Sequence, residues 1–70
     1  MAAEEWLAWQ AHMGWSDARC ARELGLGSRN TVASYRVHGA PRYIALACAA
    51  LAYGLPPWRV SAADPPERRR

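Results

Sequence analysis

The 70-residue chain has no phenylalanine and no lysine, only two cysteines, and no long unbroken apolar run. Its longest uncharged stretch, Tyr43 to Trp58, is interrupted by Gly54, Pro56 and Pro57. A bilayer-spanning helix needs about 20 apolar residues, so no membrane segment is expected. Glu4 and Glu5 stand where a signal peptide is basic, and the chain is expected in the cytoplasm. Two cysteines cannot build a disulfide scaffold, and a Cys20–Cys48 bridge is not expected in a reducing compartment. His12, Cys20, His38 and Cys48 are 8, 18 and 10 residues apart, without the short-spaced pairs of a zinc site. No third group orients a Cys/His pair for nucleophilic catalysis. No metal, cofactor, small-molecule ligand or catalytic residue is therefore expected, and the chain reads as a binding module rather than an enzyme.

With 51% hydrophobic and 21% charged residues, the composition is that of a folded protein. A chain of this length forms one domain and buries roughly 60% of its unfolded surface, so its core is thin.

All nine basic residues are arginine, and the net charge of +3 is unevenly spread. Residues 1–18 carry Glu4, Glu5 and Asp17 and are acidic. Residues 19–42 carry Arg19, Arg22, Arg29, Arg36 and Arg42 against Glu23 alone. Residues 43–58 carry no charge, and the end carries Arg59 and Arg68 to Arg70 against Asp64 and Glu67. A concentrated arginine patch suits a polyanion, although a solvated helical surface has the same composition.

Helical spacing recurs four times. Trp6, Trp9 and Met13, with Leu7 beside them, predict a helix over residues 3–13, closed by Gly14. Ser16 caps a second helix whose inner face is Cys20, Ala21 and Leu24 and whose end is Gly25. Ser28 caps a third, running to His38 with Val32 and Tyr35 inward, and Gly39 ends it. Pro41 opens a fourth, over residues 41–53, which has no polar face beyond Arg42. One small domain covers only one side of such a helix. Tyr43, Leu46, Ala47, Ala50, Leu51 and Trp58 are therefore candidates for contact with a second copy, Trp58 alternatively folding back onto the core. Residues 1–58 are expected to form the domain, and residues 59–70 a flexible tail rich in proline and arginine.

Two short helices joined by a tight glycine turn make a helix-turn-helix. Ala21 supplies the small residue at the crossing, Gly25 and Gly27 the turn, and Val32 the anchor. The outer face of the second of these helices is short and polar, as a major-groove element must be. Arg29, Asn30 and Ser34 are the candidate base-reading residues. Arg29 suits guanine and Asn30 suits adenine, with a phosphate contact and helix capping as the respective alternatives. Ser28, Thr31, Arg19, Arg22, Arg36 and Arg42 are candidate phosphate contacts, Ser28 and Thr31 doubling as capping residues.

From Trp6 to Leu51 these features, in order, resemble the lambda repressor and Cro type of regulator, the XRE-like helix-turn-helix family. Trp6 and Trp9 match the family's first-helix core positions. Gly14-Trp15-Ser16 matches the lead into its second helix, and Ala21 and Gly25 match the small residue and turn glycine. Val32 and Tyr35 match the anchors of its recognition helix, and Gly39 with Pro41 matches the following loop. The final part also resembles small phage-encoded repressors. Four departures stand out. The stretch from Gly25 to Val32 is one residue longer than is usual in the family, Asp17 replaces a common glutamine, Arg36 replaces a common glutamate, and a fifth helix is missing. The resemblance implies a compact all-α bundle of about four helices. It also implies a homodimeric transcriptional repressor that reads a palindromic operator in double-stranded DNA. The rival reading is a helical protein-interaction module, antitoxin-like, working through the apolar fourth helix.

Overall fold

The computed structural model describes residues 1–59; residues 60–70, with most of the expected tail and its arginine triplet, lie outside the described residues. The described residues form four helices and no strand: α1 (Ala3–Met13), α2 (Asp17–Leu24), α3 (Arg29–His38) and α4 (Arg42–Ala52). Local chemistry sets the boundaries. The Glu5 carboxylate accepts from the Ala2 amide at 2.6 Å, ahead of α1. Ser16 Oγ accepts from the Arg19 amide at 3.1 Å, and Ser28 Oγ from the Asn30 amide at 3.0 Å. Each occupies an amide left unpaired in a first helical turn.

Gly25 ends α2 in the left-handed region at φ 72°, whereas Gly27 does not have a positive φ. The turn therefore depends on one glycine, not two. Leu26 donates its amide to the Ala21 carbonyl at 2.8 Å and tucks its side chain against the core. This is the backbone pattern of a glycine-terminated helix with its hydrophobic follower. The segment between α2 and α3 thus carries an apolar anchor of its own.

The core joins all four helices. Trp6, Trp9, Cys20, Ala21, Val32, Tyr35, Ala40, Ile44 and Cys48 are buried, with Met1, Met13, Trp15, Leu24, Leu26 and Leu51 packed around them. In a protein without phenylalanine, indoles supply the volume. Trp6 is fully buried, 5.0 Å from the Trp9 ring and edge-on to Tyr35 at 5.2 Å. Trp9 is in turn edge-on to Trp15 at 5.8 Å. A buried indole withdraws about 200 Å² from water, worth at most about 5 kcal/mol. Each must also satisfy its N–H. Trp6 Nε1 donates to Gln10 Oε1 at 3.0 Å, and Trp9 Nε1 to the Cys48 carbonyl at 2.9 Å, tying α1 to α4. Both cysteines are free and buried. Burial pushes both thiols up, Cys48 to about 11, so they pack as small apolar groups.

The chain start closes the bundle. The Met1 amino group donates to the Ala40 carbonyl at 3.1 Å, and the Ala40 amide returns to the Met1 carbonyl at 2.9 Å. Gly39 lies beneath this clasp at φ 87°, and a Cβ there would strike the Met1 carbonyl oxygen.

Several expectations are corrected. Pro41 is the cap of α4 with ψ 166°, and the helix starts at Arg42. Leu7 is 44% exposed, because Trp6 and Trp9 already occupy the inward side of α1. Trp58 is 84% exposed and does not fold back onto the core. Leu51, expected at an interface, packs against the core from the inner side of α4. No helix among the described residues is long and apolar enough to cross a membrane.

The clasp makes Gly39 irreplaceable. Gly39→Ala is expected to lower stability by more than about 1 kcal/mol, from its dihedral and the blocked contact together. Thermal unfolding followed by circular dichroism checks this, and an unchanged midpoint contradicts it.

Candidate nucleic-acid interface

The position of α3 is set by its two buried residues. Val32 and Tyr35 turn inward, so at about 100° per residue the opposite side carries Asn30 and Val37, flanked by Ala33 and Ser34. All four are exposed. The Ser28 hydroxyl caps the helix, which leaves the Asn30 side chain free of that task. Among the described residues, neither the Asn30 nor the Ser34 side chain has a protein hydrogen-bond partner. Thr31 is half-buried, at the edge nearer the core.

The arginines divide into two groups. Arg22, Arg29 and Arg42 are exposed, and no ion pair engages them among the described residues. Arg22 lies on the outer side of α2, away from buried Cys20 and Ala21. Arg29 and Arg42 stand in the first turns of α3 and α4. Arg19 and Arg36 are partly occupied. Arg19 lies over the Trp15 ring at 4.6 Å and reaches Glu23 at 3.7 Å. Arg36 Nη1 donates to Asp17 Oδ2 at 3.1 Å.

That last contact explains an apparent defect. A lone carboxylate at Asp17 would repel a phosphate backbone. Here it is held from two sides: Gln10 Nε2 donates to Asp17 Oδ1 at 2.8 Å, and Arg36 supplies the opposite charge. The Gln10 hydrogen bond, then the nearby charges of Arg36 and Arg29, keep the carboxyl below its ordinary value of 3.8, against partial desolvation. Asp17 and Arg36 thus form one ion pair joining the start of α2 to α3.

Gln10 is the residue that the helical reading passed over. Its amide accepts from Trp6 and donates to both the Trp15 carbonyl at 3.0 Å and Asp17. The signal was present in the sequence. Gln10 lies four residues after Trp6 and three before Met13, on the inward stripe of α1, where a polar side chain must find partners. It also lines a shallow hollow with Leu7, Ala11, Gly14, Trp15 and Arg36.

The proposed partner surface on α4 is uneven. Tyr43 and Leu46 are exposed, whereas Ala47, Ala50 and Leu51 are half-buried. Tyr53, Leu55 and Trp58 extend the exposed apolar area. Leu55 donates its amide to the Ala50 carbonyl at 2.9 Å, as Leu26 does to Ala21, yet its side chain stays 58% exposed. No group of three His, Cys, Asp or Glu among the described residues is arranged to hold a metal.

Comparison with protein-family models, curated proteins and solved structures finds no match for this chain.

Because the Asp17 carboxyl titrates lower in the folded chain than in the unfolded one, its contribution to stability is present above about pH 4. It is lost as pH falls through the folded value. Asp17→Asn is expected to cost about 1 kcal/mol or less near neutral pH, since the pair is partly exposed, and progressively less as acid protonates the carboxyl. Urea unfolding at neutral and at acid pH checks this; a deficit that does not shrink in acid contradicts the ion-pair account.

Proposed function

We propose that this chain is a sequence-specific double-stranded DNA-binding regulator that acts as a homodimer and inserts α3 into the major groove. The carrying observation is the outward face of α3, which presents Asn30 and Ser34 without protein partners among the described residues, with Arg29 in its first turn. These are the side chains that hydrogen-bond base edges: Arg29 to guanine, Asn30 to adenine. Arg22 and Arg42 supply positive charge for phosphates. Arg19 and Arg36 contribute charge from fixed positions, and the amide-rich start of α3 at Ser28 and Thr31 favours an anion.

Size argues for the second copy. The 10 residues of α3 span about 15 Å, enough for four or five base pairs, too few to mark one site in a genome. Two copies reading half-sites one helical turn apart double that information and favour a palindrome. Tyr43, Leu46, Tyr53, Leu55 and Trp58 provide an apolar surface for the pairing. Occupying a promoter in this way represses transcription, in the cytoplasm where Cys20 and Cys48 remain thiols.

The same apolar surface supports a second reading, a helical adaptor for another protein. Selection from a random duplex pool, at low and physiological salt, separates the two. A recovered palindrome that survives physiological salt is the result expected for the regulator. Weak binding without enrichment, vanishing as salt rises, reduces the arginines to an electrostatic surface and favours the adaptor.

On the recovered duplex, Arg29→Ala is expected to cost about 1–3 kcal/mol and to relax preference at one position. Titrations by fluorescence anisotropy measure it, and equal losses on every sequence demote Arg29 to a phosphate contact. Leu46→Glu is expected to convert a dimer into a monomer in sedimentation equilibrium and to weaken DNA binding with it. A wild-type chain that sediments as a monomer while bound to DNA excludes the pairing.

A further inference from the structure

The outward face of α3 carries one residue that hydrogen bonding does not explain. Val37 is 69% exposed, and it lies on the same crest as Asn30, two helical turns further on. Ala33 stands between them, also exposed. Val32 and Tyr35 hold the opposite, inward side of α3 and are buried, so the Val37 side chain is presented outward beside Asn30 and Ser34. The isopropyl group is thus an exposed apolar point next to polar side chains.

The major groove offers one apolar feature, the C5 methyl group of thymine. With α3 about 15 Å long and the groove about 12 Å wide, the crest from Asn30 to Val37 fits within a single passage of the groove. We infer that Val37 is a specificity-determining residue that packs against a thymine methyl, aided by the Ala33 methyl. The inference rests on the proposed DNA reading and adds a particular to it. Each half-site contains a thymine whose methyl group, not its hydrogen-bonding edge, is recognised. Beside Asn30 reading adenine and Arg29 reading guanine, it assigns discrimination to a position where the protein makes no hydrogen bond.

The methyl can be removed without touching base pairing. On the palindrome recovered from the random pool, each thymine is replaced in turn by deoxyuridine, symmetrically in both half-sites. Wild-type protein is expected to lose about fourfold in affinity per half-site at one or two positions, the value of one methyl kept from water. Val37→Ser is expected to abolish that sensitivity at one position, and Val37→Thr, which keeps a branched methyl, to retain it. Val37 is exposed, so these variants should fold as the wild type does, which circular dichroism checks. Equal affinity of the wild type for all thymine and uracil duplexes overturns the inference while leaving the DNA reading intact. Uracil sensitivity that persists unchanged in Val37→Ser overturns it as well. Failure to recover any bound sequence overturns both.

Discussion

The burial of Trp6 is the constraint on which the other positions depend. Its indole is fully enclosed, touches Trp9 and Tyr35, and therefore holds α1 against α3. An indole cannot be buried without a partner for its N–H, and Gln10 provides it one turn later on the same helix. That choice places a second polar group partly out of water, whose own amide must be answered. It is answered by the Trp15 carbonyl and by Asp17 at the start of α2. Asp17 then fixes Arg36 on α3. A hydrophobic requirement thus propagates, bond by bond, into the relative placement of the two helices that form the candidate interface.

Energies rank these links. The buried aromatic cluster contributes several kcal/mol, whereas the exposed Asp17–Arg36 pair is worth about 1 kcal/mol or less. Gln10 lies between them: each of its bonds is worth about 1 kcal/mol net, but breaking one strands a partly buried group. The core therefore holds α2 and α3 together, and the polar chain adjusts how they meet. The proposed DNA contact needs both, because a small displacement of α3 would misalign every base contact.

The four helices could be read from the sequence because their punctuation is local. Ser16 and Ser28 cap, and Gly25 and Gly39 adopt dihedrals that other residues resist. The outward placement of Asn30 and Ser34 was readable for the same kind of reason: Val32 and Tyr35 determine the rotation of α3. What escaped was tertiary. The Asp17–Arg36 pair joins residues 19 apart, and nothing in either residue's neighbours announces the other. Leu7 and Trp58 are apolar and exposed, and periodicity does not say which apolar positions the rest of the chain will cover. Leu51 faces the core because α4 rests on the bundle along Ile44 and Cys48, a choice of side that an almost uniformly apolar helix does not reveal.

The central claim is that the outer face of α3, and not the apolar surface of α4, meets double-stranded DNA. Amide chemical shifts of ¹⁵N-labelled protein, followed while a duplex bearing the selected site is added, test it most directly. The account predicts that the largest changes fall on Ser28, Arg29, Asn30, Ala33, Ser34 and Val37, with Arg22 and Arg42 moving less. Changes confined to Tyr43, Leu46 and Tyr53, with α3 unmoved, would contradict it.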